Sequence, residues 1–165
     1  MNLVKVLKIS ICFLLSACGV ASKSNKEVIQ EKILENDKKF ISLPQITVLE
    51  LGSLTPENYQ LIDVRDEVEV KVSRIPSSIT LASFKANPEK YKGKLLIPYC
   101  TIGYRSALIT QSFIETGYKA KNLKGSILSW AWENKPLAND EGETNKVHVF
   151  GKNWNLLPEN YEAVY

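Results

Sequence analysis

The pattern of apolar and polar residues predicts strands that alternate with helices along the chain. Four short runs have the composition of strands, at 61–64, 79–81, 94–99 and 120–123. Residues 106–116 and 127–133 carry apolar side chains at helical spacing, and Gly117 ends the first of these helices. Such alternation is typical of a parallel sheet with helices on both faces, so the pattern predicts an α/β domain.

The segments on either side of this pattern have a different character. Residues 22–39 are rich in Lys, Glu and Asn but place apolar residues at helix-like spacing, which predicts a tether and a short amphipathic helix. A mostly solvated spacer fits this composition equally well. Pro44 marks the start of the folded domain, because the residue before a proline avoids helical geometry. After residue 137 we expect a polar loop at 139–143 and then an apolar extension that packs on the domain.

The first residues resemble the signal of a bacterial lipoprotein. Lys5 and Lys8 precede an apolar run at 9–15 that is too short to span a membrane, and the run Leu15-Ser16-Ala17-Cys18-Gly19 resembles a lipobox. This implies removal of residues 1–17 and a lipid on Cys18. The lipid would hold the domain on the outer face of a bacterial membrane, in the periplasm or at the outer membrane of a two-membrane host. A plain secretory signal, or a short anchor with an incidental Cys18, is the alternative.

These observations divide the chain into four parts. They are a signal peptide at 1–17, a lipidated tether and helix at 18–43, the α/β domain at 44–137 and the packed extension at 138–165. The chain has 165 residues, of which 44% are hydrophobic, so it can close about one globular domain.

Composition and charge narrow the possible partners. After residue 17 the chain has 19 basic and 18 acidic residues, a formal charge of +1, which gives no reason to expect nucleic acid or an anionic membrane surface as a partner. One His and three Cys, with Cys12 in the predicted signal and Cys18 at the predicted lipid site, rule out a Cys/His zinc cluster of the usual kind, and no metal or organic cofactor is implied. The single histidine, His148, is predicted to have a packing or surface role, since no feature of the sequence places it near Cys100.

Cys100 is the strongest candidate for chemistry. With Cys12 removed and Cys18 lipidated, it is the remaining free thiol of an exported domain. It follows a predicted buried strand and precedes a helix predicted to begin at Ser106, at the sheet edge where α/β proteins bind ligands. A loop that curls at a helix N-terminus directs N–H groups inward, and these donors with a nearby Arg lower the pKa of a thiol. The alternative is a small buried hydrophobe.

Four signatures resemble the rhodanese-like family of single-domain sulfurtransferases. They are Ile62-Asp63-Val64-Arg65, Ile75-Pro76, the loop from Tyr99-Cys100 to Arg105-Ser106, and Asn122-Leu123-Lys124-Gly125 followed by Ile127 and Trp130. They occur in the family's order over about residues 45–135. The resemblance implies a parallel sheet of about five strands with helices on both faces. It also implies transfer of sulfane sulfur from thiosulfate, or from a persulfide or polysulfide, to a thiophilic acceptor.

The resemblance implies a role for each site residue. Cys100 would accept the sulfur as a persulfide. The residues that would cradle this persulfide and the anionic end of the donor are Thr101, Ile102, Gly103, Tyr104 and Arg105. Asp63 and Arg65 would support the loop as a buried pair. Four residues separate Cys100 from Arg105, whereas related phosphatases and arsenate reductases carry five, so the loop length favours sulfur transfer over oxyanion transfer.

The chain departs from the family pattern at several positions. The turn at 73–78 has a different composition, Val70 stands where an aromatic residue is common, and Ser126 replaces the second glycine of a Gly-Gly pair. Since these positions lie outside the loop, we expect them to alter local turns more than the nucleophile. Arg105 is the only cation within the loop, so a persulfide or polysulfide is a strong rival to dianionic thiosulfate as the donor.

Two other functions remain alternatives. One is a non-catalytic rhodanese-like module that binds a partner protein or senses redox state through Cys100. The other is an arsenate reductase or phosphatase. The sequence names neither the physiological donor and acceptor nor the oligomeric state.

Overall fold

The computed structural model describes residues 23–165. The predicted signal at 1–17 and the predicted lipid site at Cys18 lie outside the described residues. Within residues 23–165, no helix combines the length and the apolar composition that crossing a bilayer requires.

Parallel strands form the centre of the protein. They are β1 (Gln45–Ile46), β2 (Tyr59–Asp63), β3 (Ile79–Thr80), β4 (Leu95–Tyr99) and β5 (Asn122–Leu123). Strands β3, β2 and β4 are hydrogen-bonded in that order, and β1 pairs with β5. A bridge between Leu96 and Ala120 links the two groups, with backbone hydrogen bonds of 2.9 and 3.0 Å on either side of Leu96. The expected sheet of about five strands is therefore built as a three-stranded and a two-stranded parallel sheet joined at this bridge.

Within residues 23–165, six α-helices flank these strands. They are α1 (Asn25–Lys39), α2 (Val48–Leu51), α3 (Glu67–Val72), α4 (Leu81–Ala86), α5 (Tyr104–Glu115) and α6 (Ser126–Trp132). Helices α5 and α6 occupy the segments predicted to be helical at 106–116 and 127–133, with small shifts of their ends, and α1 lies within the amphipathic segment at 22–39. Helices α2, α3 and α4 have two turns or fewer, which is too short to give an apolar period in the sequence.

Alternation along β2 and β4 sends side chains into two cores. Leu61 and Ile97 join a large core with buried residues of α1, α2 and α6. Ile62 and Leu96, their neighbours in sequence, join a smaller core with Phe84 of α4 and Phe113 of α5. Helices therefore cover both faces of the sheet, and the predicted α/β fold is confirmed.

The first helix packs on the large core. Ser24 and Glu27 form a capping box at the start of α1, which satisfies backbone donors that a helix leaves unpaired. Ile29 is buried, Ile33 is partly buried, and Leu34 is 55% exposed. One edge of α1 is thus anchored to the domain, while its remaining surface is free to border a neighbouring site.

The C-terminal segment adds two small sheets. Strands β6 (Leu137–Asn139) and β7 (Gly142–Thr144) form an antiparallel hairpin, while β8 (Lys146–His148) and β9 (Glu162–Val164) pair in parallel. The prediction of a loop at 139–143 is wrong for most of that range. The Asn139 side chain accepts a hydrogen bond of 2.9 Å from the Glu141 N–H and closes a two-residue turn, which lets the flanking polar residues pair as strands. Farther along, four residues join the large core: Val147, Val149, Leu156 and Leu157.

A buried polar network joins β2 to β4 directly beneath Cys100. The Arg65 guanidinium donates to both carboxylate oxygens of Asp63, at 2.9 and 2.7 Å, and to the Ser73 carbonyl at 2.6 Å. The Tyr99 hydroxyl donates to Asp63 at 2.7 Å and accepts from the Ile75 N–H at 3.1 Å. Because Tyr99 is the residue before Cys100, this network fixes the end of the strand that carries the thiol.

Replacing Tyr99 with Phe tests this network. The Ile75 N–H would lose its acceptor in a fully buried position, so we expect a loss of about 1–3 kcal/mol in the free energy of unfolding. Urea denaturation followed by tryptophan fluorescence measures it. Tyr118→Phe is the matched control, because within residues 23–165 no hydrogen bond of its hydroxyl is found and its effect should stay below about 0.5 kcal/mol. Equal stability of the two variants would contradict the role given to the Tyr99 hydroxyl.

Candidate active site

Cys100 lies at the carboxyl end of β4 and is only 2% exposed. Helix α5 begins at Tyr104, two residues earlier than predicted, so the curled segment is 100–103 and Arg105 already belongs to the first helical turn. The reason is Gly103, which caps the helix in the left-handed region with φ of 110°. The early start brings the N-terminus of a twelve-residue helix up to the thiol.

Hydrogen-bond donors surround the sulfur of Cys100. The Gly103 N–H donates to Sγ at 3.1 Å, and the hydroxyls of Ser106 and Ser126 lie 3.6 and 4.0 Å from it. The Ser106 hydroxyl has one proton and also lies 2.7 Å from the Asn122 side-chain oxygen, so it can donate to either acceptor. An ionised sulfur would compete well for that proton, because a charged acceptor makes the stronger hydrogen bond.

The pKa of Cys100 reflects a balance between burial and these donors. Burial alone would raise the pKa of the thiol. Hydrogen bonds from the Ser106 backbone and side chain, then from the Gly103 N–H, together with the positive charge of Arg105, outweigh burial and hold the pKa below its ordinary value. The Cys100 thiol therefore ionises more readily than an ordinary thiol, although it is buried.

The start of α6 is hydrogen-bonded to the curled segment at 100–103. The N–H groups of Ile127 and Leu128 donate to the carbonyls of Cys100 and Thr101, each at 3.2 Å. These are N–H groups that the first turn of a helix leaves without a partner inside the helix. The loop is thus hydrogen-bonded at the start of both helices. The N-cap residue of α5 donates to the sulfur of Cys100, and the first turn of α6 donates to the carbonyl oxygens.

The guanidinium of Arg105 forms an ion pair with the carboxylate of Glu69. Its two terminal nitrogens donate to Glu69 at 2.7 and 2.8 Å, in a bidentate pair. The Thr101 hydroxyl adds hydrogen bonds to both partners, at 3.2 Å to Glu69 and 3.1 Å from Arg105. Burial would raise the pKa of Glu69, but hydrogen bonds from Arg105 and the Asp66 N–H keep that pKa below its ordinary value. The positive charge of Arg105, which was expected to bind an anionic donor, is therefore largely neutralised by Glu69.

The predicted site residues fall into two groups. Cys100 lines a cavity of about 410 Å³ together with four predicted loop residues, which are Thr101, Ile102, Tyr104 and Arg105. Gly103 shapes the curl without lining the cavity. Asp63 and Arg65 lie in the buried network under Tyr99, away from the cavity wall.

Several side chains of the site were not predicted. Glu69 gave no signal apart from its spacing after Asp63 and Arg65, while the far wall of the cavity comes from α1 and from the segment around Phe150 and Trp154. These flanking segments approach the loop only through the tertiary fold.

His148 lies outside the cavity that contains Cys100. His148 sits in β8, does not line the cavity, and has a buried Nδ1 without a hydrogen-bond partner in the part of the chain that the structure describes. Among residues 23–165, no cluster of three His, Cys, Asp or Glu side chains is arranged to hold a metal ion.

Comparison with known proteins decides the family. Residues 49–133 match the model of the rhodanese-like domain, which is more than half of the chain. The chain belongs to the rhodanese-like family. Over 84 residues it is 33% identical to YtwF of Bacillus subtilis (strain 168), which is provisionally named a sulfurtransferase; the match covers 48% of this chain and 81% of YtwF.

Solved structures share the rhodanese-like fold. A rhodanese-related protein from Thermoplasma volcanium superposes with a TM-score of 0.51 at 23% identity, over 58% of this chain and 97% of that protein. A thiosulfate sulfurtransferase from Pseudomonas aeruginosa gives 0.52 at 19% identity, over 71% of this chain and 24% of that longer protein. At these identities the likeness shows the fold alone.

The departure from the rhodanese-like pattern at Ser126 reaches the nucleophile. Ser126 adopts φ of 51°, a left-handed conformation that costs a residue with a Cβ about 1–2 kcal/mol and that glycine adopts freely. Its hydroxyl accepts a hydrogen bond of 3.0 Å from the Cys100 N–H and donates to the Leu123 carbonyl at 3.2 Å. The effect of Ser126, which was expected mainly on a local turn, thus extends to the backbone of Cys100.

Replacing Ser106 with Ala tests the electrostatics of the thiol. Loss of the hydroxyl removes a donor that favours the thiolate, so we expect the pKa of Cys100 to rise. The pH dependence of the alkylation rate with iodoacetamide, followed by intact mass, measures this pKa. Ser112→Ala, at an exposed position of the same helix, is the control and should titrate like the wild type. A Ser106→Ala curve that coincides with the control would show that the side chain does not act on the thiol.

Proposed function

We propose that the protein is a rhodanese-type sulfurtransferase in which Cys100 carries sulfane sulfur as a persulfide. The observation that supports this most strongly is a buried thiol with a lowered pKa, whose Sγ accepts a hydrogen bond of 3.1 Å from the Gly103 N–H. Such a thiol supplies a nucleophile without a separate general base. The adjoining cavity gives a donor access to it.

In the first step, the Cys100 thiolate attacks the sulfane sulfur of the donor. With thiosulfate, a new sulfur–sulfur bond forms on Cys100, the donor's sulfur–sulfur bond breaks, and sulfite leaves with the electron pair. With a hydropersulfide, the leaving group is the thiolate, which takes up the hydropersulfide proton. The sulfur moves without any external oxidant or reductant.

The persulfide then carries its negative charge one atom farther into the cavity. The backbone N–H groups in the first turn of α5, beginning at Tyr104, have no partner within the helix and face this end of the strand. We assign them to the outer sulfur, where they would act as fixed donors that need no rearrangement during transfer. In the second step an acceptor such as cyanide or a thiolate attacks the outer sulfur, and the Cys100 thiolate leaves.

The pairing of Arg105 bears on the choice of donor. Since Glu69 balances its charge, a dianion such as thiosulfate would meet little net positive charge beside Cys100. This favours a persulfide or polysulfide donor. Arg105 in this mechanism mainly fixes the first turn of α5, and the N–H groups supply most of the stabilisation of the outer sulfur.

The intact mass of the purified protein tests the sulfur-carrier role. We expect incubation with thiosulfate or with inorganic polysulfide to add the mass of one sulfur atom, and cyanide to remove it as thiocyanate. Cys100→Ser should add none, because the nucleophile is gone. Cys18→Ser, outside the loop, is the matched control and should load normally.

Two results would overturn this function. A wild-type protein that stays unmodified with both donors, while its fold is intact, would favour the partner-binding or redox-sensing alternative. Turnover of a phosphate ester or of arsenate that is lost in Cys100→Ser would favour oxyanion chemistry, in spite of the four-residue loop.

We also propose that Cys18 anchors the protein to a bacterial membrane through a lipid. The order of charged start, apolar run, small residues and cysteine supports this, and the 23–165 domain would then lie outside the cytoplasm. Cell fractionation tests it. Cys18→Ala should move the protein from the membrane fraction to the soluble fraction and abolish labelling with a fatty acid. Cys12→Ala, within the apolar run, should behave like the wild type, and an unchanged distribution of Cys18→Ala would contradict the anchor.

A further inference from the structure

The cavity beside Cys100 has a wall that the rhodanese-like match does not include. Its volume of about 410 Å³ falls within the range of sites that bind small organic molecules, roughly 300–1,000 Å³. The inner side is the loop. The outer side comes from α1 and from the segment that holds Phe150 and Trp154, all beyond residues 49–133.

Solvent-exposed aromatic rings line both sides of the cavity. Phe150 of the outer side is 69% exposed, and Tyr104 of the loop side is 43% exposed. The Phe150 ring lies 5.8 Å from the Arg105 guanidinium, and the Trp154 ring stands on the same side. Exposed aromatic rings that converge on a reactive thiol offer a surface for the carbon skeleton of a ligand.

Two ammonium groups border the same rings. The Lys32 nitrogen lies 4.4 Å from the centre of the Trp154 ring, and the Lys39 nitrogen lies 5.3 Å from that of Tyr104. Glu35 is the acidic residue of this wall. With Arg105 balanced by Glu69, the cavity lining retains a small positive excess on the α1 side. This arrangement suits a ligand with a reactive sulfur at one end and a carboxylate at the other.

We propose that this cavity binds the organic part of a low-molecular-weight hydropersulfide, with its carbon atoms against Phe150 and Trp154 and a carboxylate near Lys32 and Lys39. The inference rests on the proposed sulfurtransferase function and adds the class of donor. The Cys100 thiolate attacks the terminal sulfur of R–S–SH, the donor's sulfur–sulfur bond breaks, and R–SH leaves with the proton while Cys100 keeps the persulfide anion.

Three sulfur donors distinguish the role of the aromatic rings from the role of the two lysines. Cysteine persulfide has carbon atoms and a carboxylate, cysteamine persulfide lacks only the carboxylate, and inorganic polysulfide lacks both. The second-order rate constant for loading Cys100 is measured with each donor by quenching and intact mass. Phe150→Ala should lower this constant roughly five- to tenfold for both organic donors and less than twofold for polysulfide.

Removal of charge tests the carboxylate. The double variant Lys32→Gln/Lys39→Gln should slow loading by cysteine persulfide severalfold and leave cysteamine persulfide within a factor of two. Two controls match these changes: Leu49→Ala, which removes an exposed apolar side chain that is 67% accessible, and Lys38→Gln, on α1 outside the cavity. Neither should alter any of the three constants.

The outcomes distinguish this inference from the function on which it rests. If no donor loads the wild-type protein, the sulfurtransferase function fails. If all donors load but Phe150→Ala slows polysulfide as much as the organic donors, the wall is not a donor site. If Phe150→Ala leaves loading unchanged and slows only removal of the sulfur by a thiol acceptor, the wall serves the acceptor and the inference is overturned. Urea denaturation midpoints equal to that of the wild type establish that the variants are folded.

Discussion

The hydrogen bond from the Gly103 N–H to the Cys100 sulfur is the interaction on which the site depends. A thiol that is 2% exposed would be held neutral by burial, so it can ionise only if fixed donors replace the lost water. The left-handed turn at Gly103 makes this possible, because it starts α5 early enough to aim its N-terminus at the sulfur. Asn122 keeps the turn in place through a hydrogen bond of 3.1 Å to the Gly103 carbonyl.

Two ion pairs flank this loop. Asp63 and Arg65 neutralise each other in a fully buried pair, and the half-buried Arg105 is neutralised by the buried Glu69. Both pairs fix geometry, and neither leaves a strong net charge beside the sulfur. The thiolate is thus stabilised mainly by short-range N–H groups and hydroxyls, whose effect extends little beyond the sulfur itself.

The sequence could predict those parts of the fold in which one segment carries its own signal. The apolar run before Cys100, the helical period of α5 and the motif around Asn122 each identify an element and its place at the site. Glu69 could not be recognised, because the sequence pattern predicts that an acidic residue on a short helix is exposed to solvent. Its partner Arg105 is 36 positions away and approaches it only in the folded protein. The contact of Ser126 with the Cys100 N–H could not be predicted either, because it joins positions 26 apart in sequence. Strand β1 has only two residues and gains its order from pairing with β5.

The same reasoning explains where specificity can reside in this protein. The family segment at 49–133 contains the nucleophile and every donor to its sulfur, and these must stay fixed because small displacements would undo the balance between burial and hydrogen bonding. Segments outside it are free of that constraint. Helix α1 is anchored through Ile29, and the C-terminal extension is anchored through Leu156 and Leu157, so both can present other residues to the cavity without disturbing the loop. In the proposed sulfurtransferase, selection among sulfur donors would therefore reside on these two flanks, and the chemistry in the loop.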